Sequence, residues 1–296
     1  MTGDDFGLSR AVNRGIVEAH DGGVLTRASL MITGDAAAEA VALARTRPSL
    51  SVGLHLVVVD GRATLPPWEI SAIVDSAGRF RASPLAAGLR YQFSGAARRD
   101  IGREIRAQLE RFRDTGLSLS HVDGHHHMHL HPVVLGTLVA LSREFEIPAI
   151  RLPSEELALA LALDGRGAAG KVFWSAIFLG LRRHGEKRLA EAGVGFSERV
   201  YGLLETGRIS EEYLLGLIPR IRADRVELYC HPALALPGDP ADGRPDSGQR
   251  ELDALVSERV RESVARSGFV LSGSAARRPG DVAGVRTTTR ISNPSG

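Results

Sequence analysis

Apolar and polar residues follow one another along this chain in two rhythms, one typical of helices and one typical of buried strands. Segments with apolar side chains three or four residues apart predict helices, whereas short runs of apolar and β-branched residues predict strands. The predicted helices cover residues 10–21, 36–47, 96–115, 132–145, 155–193 with a break near 165–170, 210–222 and 251–267. The predicted strands cover residues 25–33, 50–59, 117–122, 149–152, 225–230 and 268–272.

Helical and strand-like segments alternate through most of the chain, a pattern typical of a parallel sheet covered by helices. The predicted fold class is therefore α/β, either a (β/α) barrel or an open, doubly wound sheet. In both architectures the chemistry takes place beyond the carboxyl ends of the strands. Residues 60–92 are rich in Pro and Gly without clear periodicity, which predicts a long loop with little regular structure.

We expect a single domain over residues 1–273, with the helical stretch 155–195 as an insertion in it. Residues 274–296 consist mainly of Arg, Gly, Thr and Ser and show no periodicity, which predicts a disordered C-terminal tail.

The composition makes several classes of protein improbable. The net charge is +2, the arginines are scattered, and the aromatic side chains are few (nine Phe, four Tyr and two Trp), so we expect no nucleic-acid binding. A single cysteine, Cys230, leaves no intrachain disulfide and fits a reducing compartment. No apolar leader segment follows Met1, and we expect a cytoplasmic protein.

The longest apolar stretch runs from Val172 to Leu181 and is interrupted by Ser175 and Gly180. It has about half of the roughly 20 residues that a membrane-spanning helix needs. Two interpretations stay open at this point. The stretch is either a core or lid helix, or a helix that rests on the inner membrane surface or binds a lipid.

A dense group of histidines follows the strand predicted at residues 117–122. The sequence from His121 to His131 contains Asp123 and five more histidines, namely His125, His126, His127, His129 and His131. Such density predicts metal binding. A single ion takes only one or two histidines from a short segment, and the alternative is a tight loop held together by imidazole hydrogen bonds.

Three further positions carry candidate chemistry. His55 lies near the end of an apolar strand, where an ionisable side chain needs a partner. The adjacent carboxylates of Asp4 and Asp5 would repel each other unless a cation relieves them; the alternative is a solvated turn or a helix cap. His231 follows the strand predicted at residues 225–230, and an imidazole there is suited to proton donation.

These motifs together resemble the YdjC-like carbohydrate deacetylases. The order and spacing agree from residue 2 to about residue 271, and the matching segments are Asp4-Asp5-Phe6-Gly7-Leu8-Ser9, Gly53-Leu54-His55, His121-Val122-Asp123-Gly124-His125-His126-His127-Met128-His129 and Cys230-His231-Pro232. The resemblance implies a distorted (β/α) barrel. It also implies a metal triad of Asp5, His55 and His125, a catalytic base at Asp4 and a late catalytic histidine at His231.

Two shorter segments resemble a subgroup of that family associated with hopanoid biosynthesis. They are Arg151-Leu152-Pro153-Ser154-Glu155 and Val200-Tyr201-Gly202-Leu203. This resemblance implies an N-acetylglucosaminyl hopanoid, which is a sugar-headed membrane lipid, as substrate.

One departure from the family concerns the first strand. Family members have an apolar strand before the Asp-Asp pair, whereas only Met1, Thr2 and Gly3 precede it here. We therefore expect the true reading frame to start upstream. We also expect a first strand this short to expose a sheet edge and to hold Asp4 and Asp5 loosely.

The candidate site residues and the family resemblance together imply a hydrolase that uses one divalent metal ion, Mg²⁺ or Zn²⁺, to remove an acetyl group from an N-acetylated amino sugar. A lipid-linked sugar and peripheral contact with a membrane are finer expectations, and the oligomeric state is not predicted. The alternatives are another barrel hydrolase with one or two metals, such as a phosphoesterase or an amidohydrolase, and a non-catalytic metal-binding protein.

Overall fold

The computed structural model describes residues 1–236 and 245–273 and, within them, six strands in one parallel sheet. The strands are β1 (Thr2–Phe6), β2 (Arg27–Leu30), β3 (Ser51–Leu56), β4 (Val122–Gly124), β5 (Arg199–Tyr201) and β6 (Val226–Cys230). Their order across the sheet is β4-β3-β2-β1-β6-β5. The parallel α/β architecture predicted from the sequence is therefore confirmed.

The segment 149–154 connects the two edges of this sheet. Ile150 forms a parallel bridge with Val122 of β4, and Ser154 forms an antiparallel bridge with Val200 of β5. Because one short segment pairs with both edge strands, the sheet curls into a distorted barrel rather than remaining open. The bridges are isolated, so the strand predicted at residues 149–152 is present only as single pairings.

Ten α-helices surround the sheet within the described residues. They are α1 (Arg10–Asp21), α2 (Ala37–Arg45), α3 (Pro84–Phe93), α4 (Gly95–Asp114), α5 (Pro132–Leu141), α6 (Leu157–Leu163), α7 (Ala168–Ala192), α8 (Glu211–Leu217), α9 (Pro245–Val256) and α10 (Glu258–Arg266). Short 3₁₀ helices cover His125–Leu130 and Ile218–Arg220. None of the helices described is both long enough and apolar enough to cross a lipid bilayer.

Most of the predicted helices are present, and local capping explains where they begin. The Ser9 hydroxyl accepts a hydrogen bond from the backbone N–H of Val12 and caps α1. Ser210 caps α8 in the same way. The helix predicted over 251–267 is two helices, because Ser257 has an extended backbone and caps α10.

Three predictions of secondary structure are wrong. The stretch 60–92 is not all loop, because helix α3 starts within it at Pro84 and is capped by Ser83. The earlier part of the stretch is held to α4 by the buried Glu104 carboxylate, which accepts hydrogen bonds from the Thr64 and Leu65 N–H groups. The strand predicted at 117–122 begins only at Val122, and residues 268–272 form no strand. The three-residue strand β5 was not predicted.

Strand β1 lies in the centre of the sheet, between β2 and β6. All five of its residues are buried, and Asp4 and Asp5 are only 1% and 4% exposed. The expectation that a short first strand would expose an edge and hold the two aspartates loosely is therefore wrong, because β1 has a hydrogen-bonded neighbour on each side. The tail predicted at 274–296 lies outside the described residues.

Candidate metal and catalytic site

A bulge in β1 turns two consecutive carboxylates toward the barrel interior. Gly3 and Phe6 of β1 pair with Ala28 and Leu30 of β2, so β1 contains one extra residue between these pairs. Asp5 takes a left-handed conformation with φ of 63°. Neighbouring side chains of a regular strand point to opposite faces, whereas this bulge places Asp4 and Asp5 at one site.

Asp5 lies between two imidazoles from other parts of the chain. Its Oδ1 is 3.1 Å from His55 Nε2 at the end of β3 and 3.2 Å from His125 Nδ1, just after β4. One ligand atom from each of the three side chains lies within 4.8 Å of the others. The structure therefore brings together the three residues proposed from the sequence as metal ligands, at the carboxyl ends of β1, β3 and β4.

The His55 imidazole is oriented by Asp123. His55 Nδ1 donates to Asp123 Oδ1 at 2.7 Å, and the Ser29 hydroxyl donates to Asp123 Oδ2 at 2.7 Å. This pairing leaves His55 Nε2 directed at Asp5, as in metal sites where a carboxylate fixes the ligating imidazole. Asp123 lies within the histidine motif, but the local sequence does not reveal this role.

Neighbouring carboxylates strongly raise the pKa of His55. Burial alone lowers the pKa of His55, but Asp123 and Asp5 overcome that effect and raise it to about 10. Burial likewise raises the pKa of Asp5, yet the charge of His125 and hydrogen bonds from both imidazoles hold that pKa well below its usual range. The site therefore favours positive charge next to Asp5.

A buried arginine holds the other carboxylates in place. The Arg151 guanidinium donates to both oxygens of Asp4, at 2.6 and 2.8 Å, and to Glu227 Oε1 at 2.7 and 2.9 Å. Its Nη2 lies 2.7 Å from Asp123 Oδ2, and the guanidinium stacks 4.6 Å from the centre of the Tyr229 ring. Arg151 and Glu227 were not identified as site residues, because nothing in their local sequence distinguishes them from surface charges.

The buried charges suit a divalent cation. Four carboxylates lie within the barrel, those of Asp4, Asp5, Asp123 and Glu227, and the buried guanidinium groups beside them belong to Arg27 and Arg151. Asp5 pairs with the imidazoles of His55 and His125 rather than with either guanidinium group, and a buried carboxylate without a cation is costly away from water. A divalent ion held by Asp5, His55 and His125 would neutralise this carboxylate, so the residues present fit such an ion.

The remaining histidines of the cluster have other partners. His121 Nε2 lies 3.0 Å from Ser29 Oγ, His127 Nε2 lies 2.8 Å from Tyr229 Oη, and His129 Nε2 lies 3.0 Å from the Arg151 carbonyl oxygen. His126 Nε2 lies 3.7 Å from the exposed Asp60 carboxylate, and these two residues form a second group of candidate ligands with His125.

His231, at the end of β6, lies within the field of the same carboxylates. Burial alone lowers the pKa of His231, but Asp5, Glu251 and Asp4 together raise it. The Glu251 carboxylate also accepts a 2.6 Å hydrogen bond from the His231 backbone N–H, which fixes the chain as it leaves the strand. An imidazole in this field is suited to carry a proton.

Unfavourable backbone conformations are concentrated around this site. Five described residues other than glycine have positive φ, and four of them are Asp5, Asp60, His126 and His127. Such conformations typically cost about 1–3 kcal/mol each and persist where the surrounding structure fixes them. Their position beside the Asp5–His55–His125 cluster indicates a functional site.

Comparison with known proteins agrees with this geometry. A sequence model described as YdjC-like protein matches residues 1–266. This chain belongs to the YdjC-like family. A protein of Brevibacillus brevis named carbohydrate deacetylase is 41% identical to it over 153 residues, which are 52% of this chain and 58% of that protein. This chain thus aligns with little more than half of the Brevibacillus relative.

Longer alignments are found with relatives from Vibrio. A Vibrio vulnificus protein named carbohydrate deacetylase is 33% identical over 265 residues, covering 89% of each chain. A crystal structure from Enterococcus faecalis, described as a proposed cellobiose-phosphate cleavage protein, superimposes with a TM-score of 0.69 and 25% identity, covering 92% of this chain and 95% of that one. The barrel architecture is therefore shared with a solved structure.

Proposed function

We propose that this protein is a metal-dependent hydrolase that removes the acetyl group from an N-acetylated amino sugar. Membership of the YdjC-like family and the relatives named carbohydrate deacetylase support the reaction class. The single observation that carries the proposal is the convergence of Asp5, His55 and His125 from three strands around one point.

Asp5, His55 and His125 would hold the ion. Two nitrogen donors and one carboxylate suit Zn²⁺ better than Mg²⁺, which prefers oxygen ligands. When bound, a divalent ion supplies Lewis-acid chemistry, which polarises a carbonyl and lowers the pKa of water.

Asp4 acts as the general base in this proposal. Arg151 binds both of its oxygens and fixes the carboxylate's orientation, and each oxygen retains a lone pair for another hydrogen. Asp4 takes a proton from the water molecule whose oxygen attacks the acetamide carbon. The direct ion pair with the Arg151 guanidinium offsets part of the cost of burying the Asp4 carboxylate.

His231 acts as the general acid. The neighbouring carboxylates that raise its pKa favour the protonated imidazolium before the reaction. As the bond between the acetyl carbon and the sugar nitrogen breaks, His231 gives its proton to that nitrogen. The products are acetate and the free amino sugar. Proton transfers of this kind typically contribute about 10²–10⁴-fold each.

The finer part of the proposal is a lipid-linked substrate, an N-acetylglucosaminyl hopanoid. A cavity of about 190 Å³ lies between helix α7 and the chain segments that leave the barrel, and it is lined by Pro153, Ser154, Glu155, Ser175, Phe178, Leu179, Arg182, Leu203 and Leu204. Four of these residues belong to the two segments that resemble the hopanoid-associated subgroup. Five of the nine lining residues are apolar, which suits contact with part of a hydrophobic aglycone.

Acetate release from acetylated sugars tests the proposal. We expect the protein loaded with Zn²⁺ or Mg²⁺ to release acetate from N-acetylglucosamine oligomers or from an N-acetylglucosaminyl glycolipid, with the loss of one acetyl mass by mass spectrometry. The His55→Ala variant should release none. Acetate release by that variant at the wild-type rate would contradict the proposal.

A hydrolase with two metal ions is the second candidate, because Asp60, His125 and His126 form a further group of potential ligands. Two bound ions per chain, with the second lost in His126→Ala, would favour that mechanism. We favour one ion because Asp60 and His126 are exposed, whereas Asp5 and His55 are buried.

A further inference from the structure

The first half of helix α7 presents apolar side chains to solvent. Val172, Phe173, Trp174 and Leu179 are 50–60% exposed. The side of the helix that packs on the barrel consists of Lys171, Ser175, Phe178, Arg182, Gly185 and Leu189, which follow one another at helical spacing. Val172 and Phe173 therefore point away from the packed side, whereas Trp174 and Leu179 flank it next to Phe178.

The second half of the same helix is basic on its outward side. Arg183, Lys187 and Arg188 are exposed there. Helix α7 contains five Arg and Lys residues and two acidic residues, Glu186 and Glu191; Lys171 pairs with Glu205 and Arg182 with Glu186, which leaves the outward basic residues in excess of Glu191. An outward face that is apolar at one end and basic at the other matches the boundary between lipid chains and anionic headgroups.

The length of the apolar stretch decides how the helix meets a bilayer. The ten residues Val172–Leu181 extend about 15 Å at 1.5 Å per residue, about half of the roughly 30 Å hydrocarbon core. We propose that helix α7 docks on an anionic lipid surface, inserting Phe173 and Trp174 among the lipid chains with Arg183 and Lys187 at the headgroups.

Ring contacts connect this surface to the candidate catalytic site. The Trp174 ring centre lies 6.1 Å from that of Phe178, and the Phe178 ring centre lies 5.4 Å from that of His127. His127 in turn contacts Tyr229, whose ring centre lies 5.9 Å from that of His231. The proposed docking helix is therefore linked to the candidate site by a chain of packed rings. The docking itself does not depend on the proposed chemistry.

Vesicle binding tests the docking. The full chain is mixed with phosphatidylcholine vesicles or with vesicles that also contain phosphatidylglycerol, and sedimentation gives the bound fraction. We expect clear binding to the anionic vesicles and at least about tenfold weaker partitioning for the Val172→Ser/Phe173→Ser double variant. The Arg183→Gln/Lys187→Gln variant should lose the preference for anionic vesicles.

A matched control uses another exposed apolar helix. Leu89 and Phe93 on α3 are 52% and 79% exposed, and the Leu89→Ser/Phe93→Ser variant should bind vesicles like the wild type. In a Trp68→Phe background the remaining tryptophan, Trp174, reports insertion, and we expect its emission to shift to shorter wavelength on anionic vesicles only.

Three results would overturn the docking proposal. One is no binding to anionic vesicles, and another is equal loss of binding in the α3 and α7 variants. The third is a change in the mass of the protein in solution when Val172 and Phe173 are replaced, since a second copy of the chain would then cover this surface. Acetate release from soluble N-acetylglucosamine oligomers is measured in parallel. We expect the α7 variants to retain it, so failure of docking and failure of the proposed activity are distinguishable.

Discussion

The Nδ1 atom of His55 lies 2.7 Å from Oδ1 of Asp123, and this hydrogen bond fixes which nitrogen of the imidazole faces Asp5. Both side chains are buried, so no water competes with the contact. The carboxylate thereby determines the tautomer and the direction of a candidate metal ligand.

Replacing Asp123 should weaken metal binding without removing a ligand. We expect Asp123→Asn to lower metal affinity by about 10–100-fold, because a neutral amide oxygen accepts from His55 Nδ1–H more weakly than the carboxylate and orients the imidazole less firmly. Calorimetric titration of the chelator-treated protein measures the effect. Ser29→Ala, which removes one hydrogen bond to Asp123, is the milder control. Wild-type affinity in Asp123→Asn would refute this role.

The proposed base is tested by a nearly isosteric change. Asp4→Asn should keep the metal, since Asp4 is outside the Asp5–His55–His125 cluster, and should lower turnover by about 10²–10⁴-fold. Acetate release and metal content are measured on the same preparation. An active Asp4→Asn protein would exclude Asp4 as the base, whereas loss of metal would place Asp4 among the ligands.

Metal binding should release a proton. The carboxylates raise the pKa of His55 to about 10 from an ordinary value of 6.5, so chelator-treated protein carries a protonated His55 at neutral pH. Only the neutral imidazole binds a metal, and the affinity should therefore rise about tenfold per pH unit between about pH 7 and pH 9. The same protonation stabilises the metal-free fold below about pH 6.5, an effect lost as pH rises through about 10. Titrations in two buffers with different ionisation enthalpies measure the proton release, and an affinity independent of pH would contradict it.

Close packing around the histidines makes Gly53 sensitive to substitution. A Cβ atom at this position would lie 2.3 Å from the buried His121 ring. We expect Gly53→Ala to destabilise the protein by about 1–3 kcal/mol, as overpacking of a core typically does. Gly102 in helix α4 has no atom within 4 Å of an added Cβ, so Gly102→Ala should be neutral or slightly stabilising. Urea unfolding of both variants measures the difference, and equal stabilities would contradict the expected clash.

The elements that the sequence predicts well are those whose apolar pattern coincides with burial. Helix α4, for example, buries Ile101, Ile105, Leu109 and Phe112 on one face, and this periodicity is visible in the sequence. Helix α3 was missed because it lies at the end of a stretch rich in Pro and Gly and buries only Ala87 and Tyr91. Its start depends on the Ser83 cap. Strand β5 has only three residues, too few for a pattern.

The residues of the candidate site were likewise predicted only in part from the sequence. Motifs at strand ends identified Asp5, His55 and His125, and a parallel barrel brings such ends together. Arg151 and Glu227 were missed because their role depends on contacts between residues 76 positions apart, which local sequence does not reveal. The bulge that directs Asp4 and Asp5 to one site is likewise a property of strand pairing.

The most direct test is the metal content of variants within the histidine cluster. Purified protein is loaded with Zn²⁺ or Mg²⁺, desalted, and analysed by mass spectrometry for metal per chain. We expect about one tightly held ion in the wild type and in His126→Ala, and none in Asp5→Ala, His55→Ala or His125→Ala. Retention of the ion in the Asp5 and His55 variants would contradict a metal site built from these three side chains.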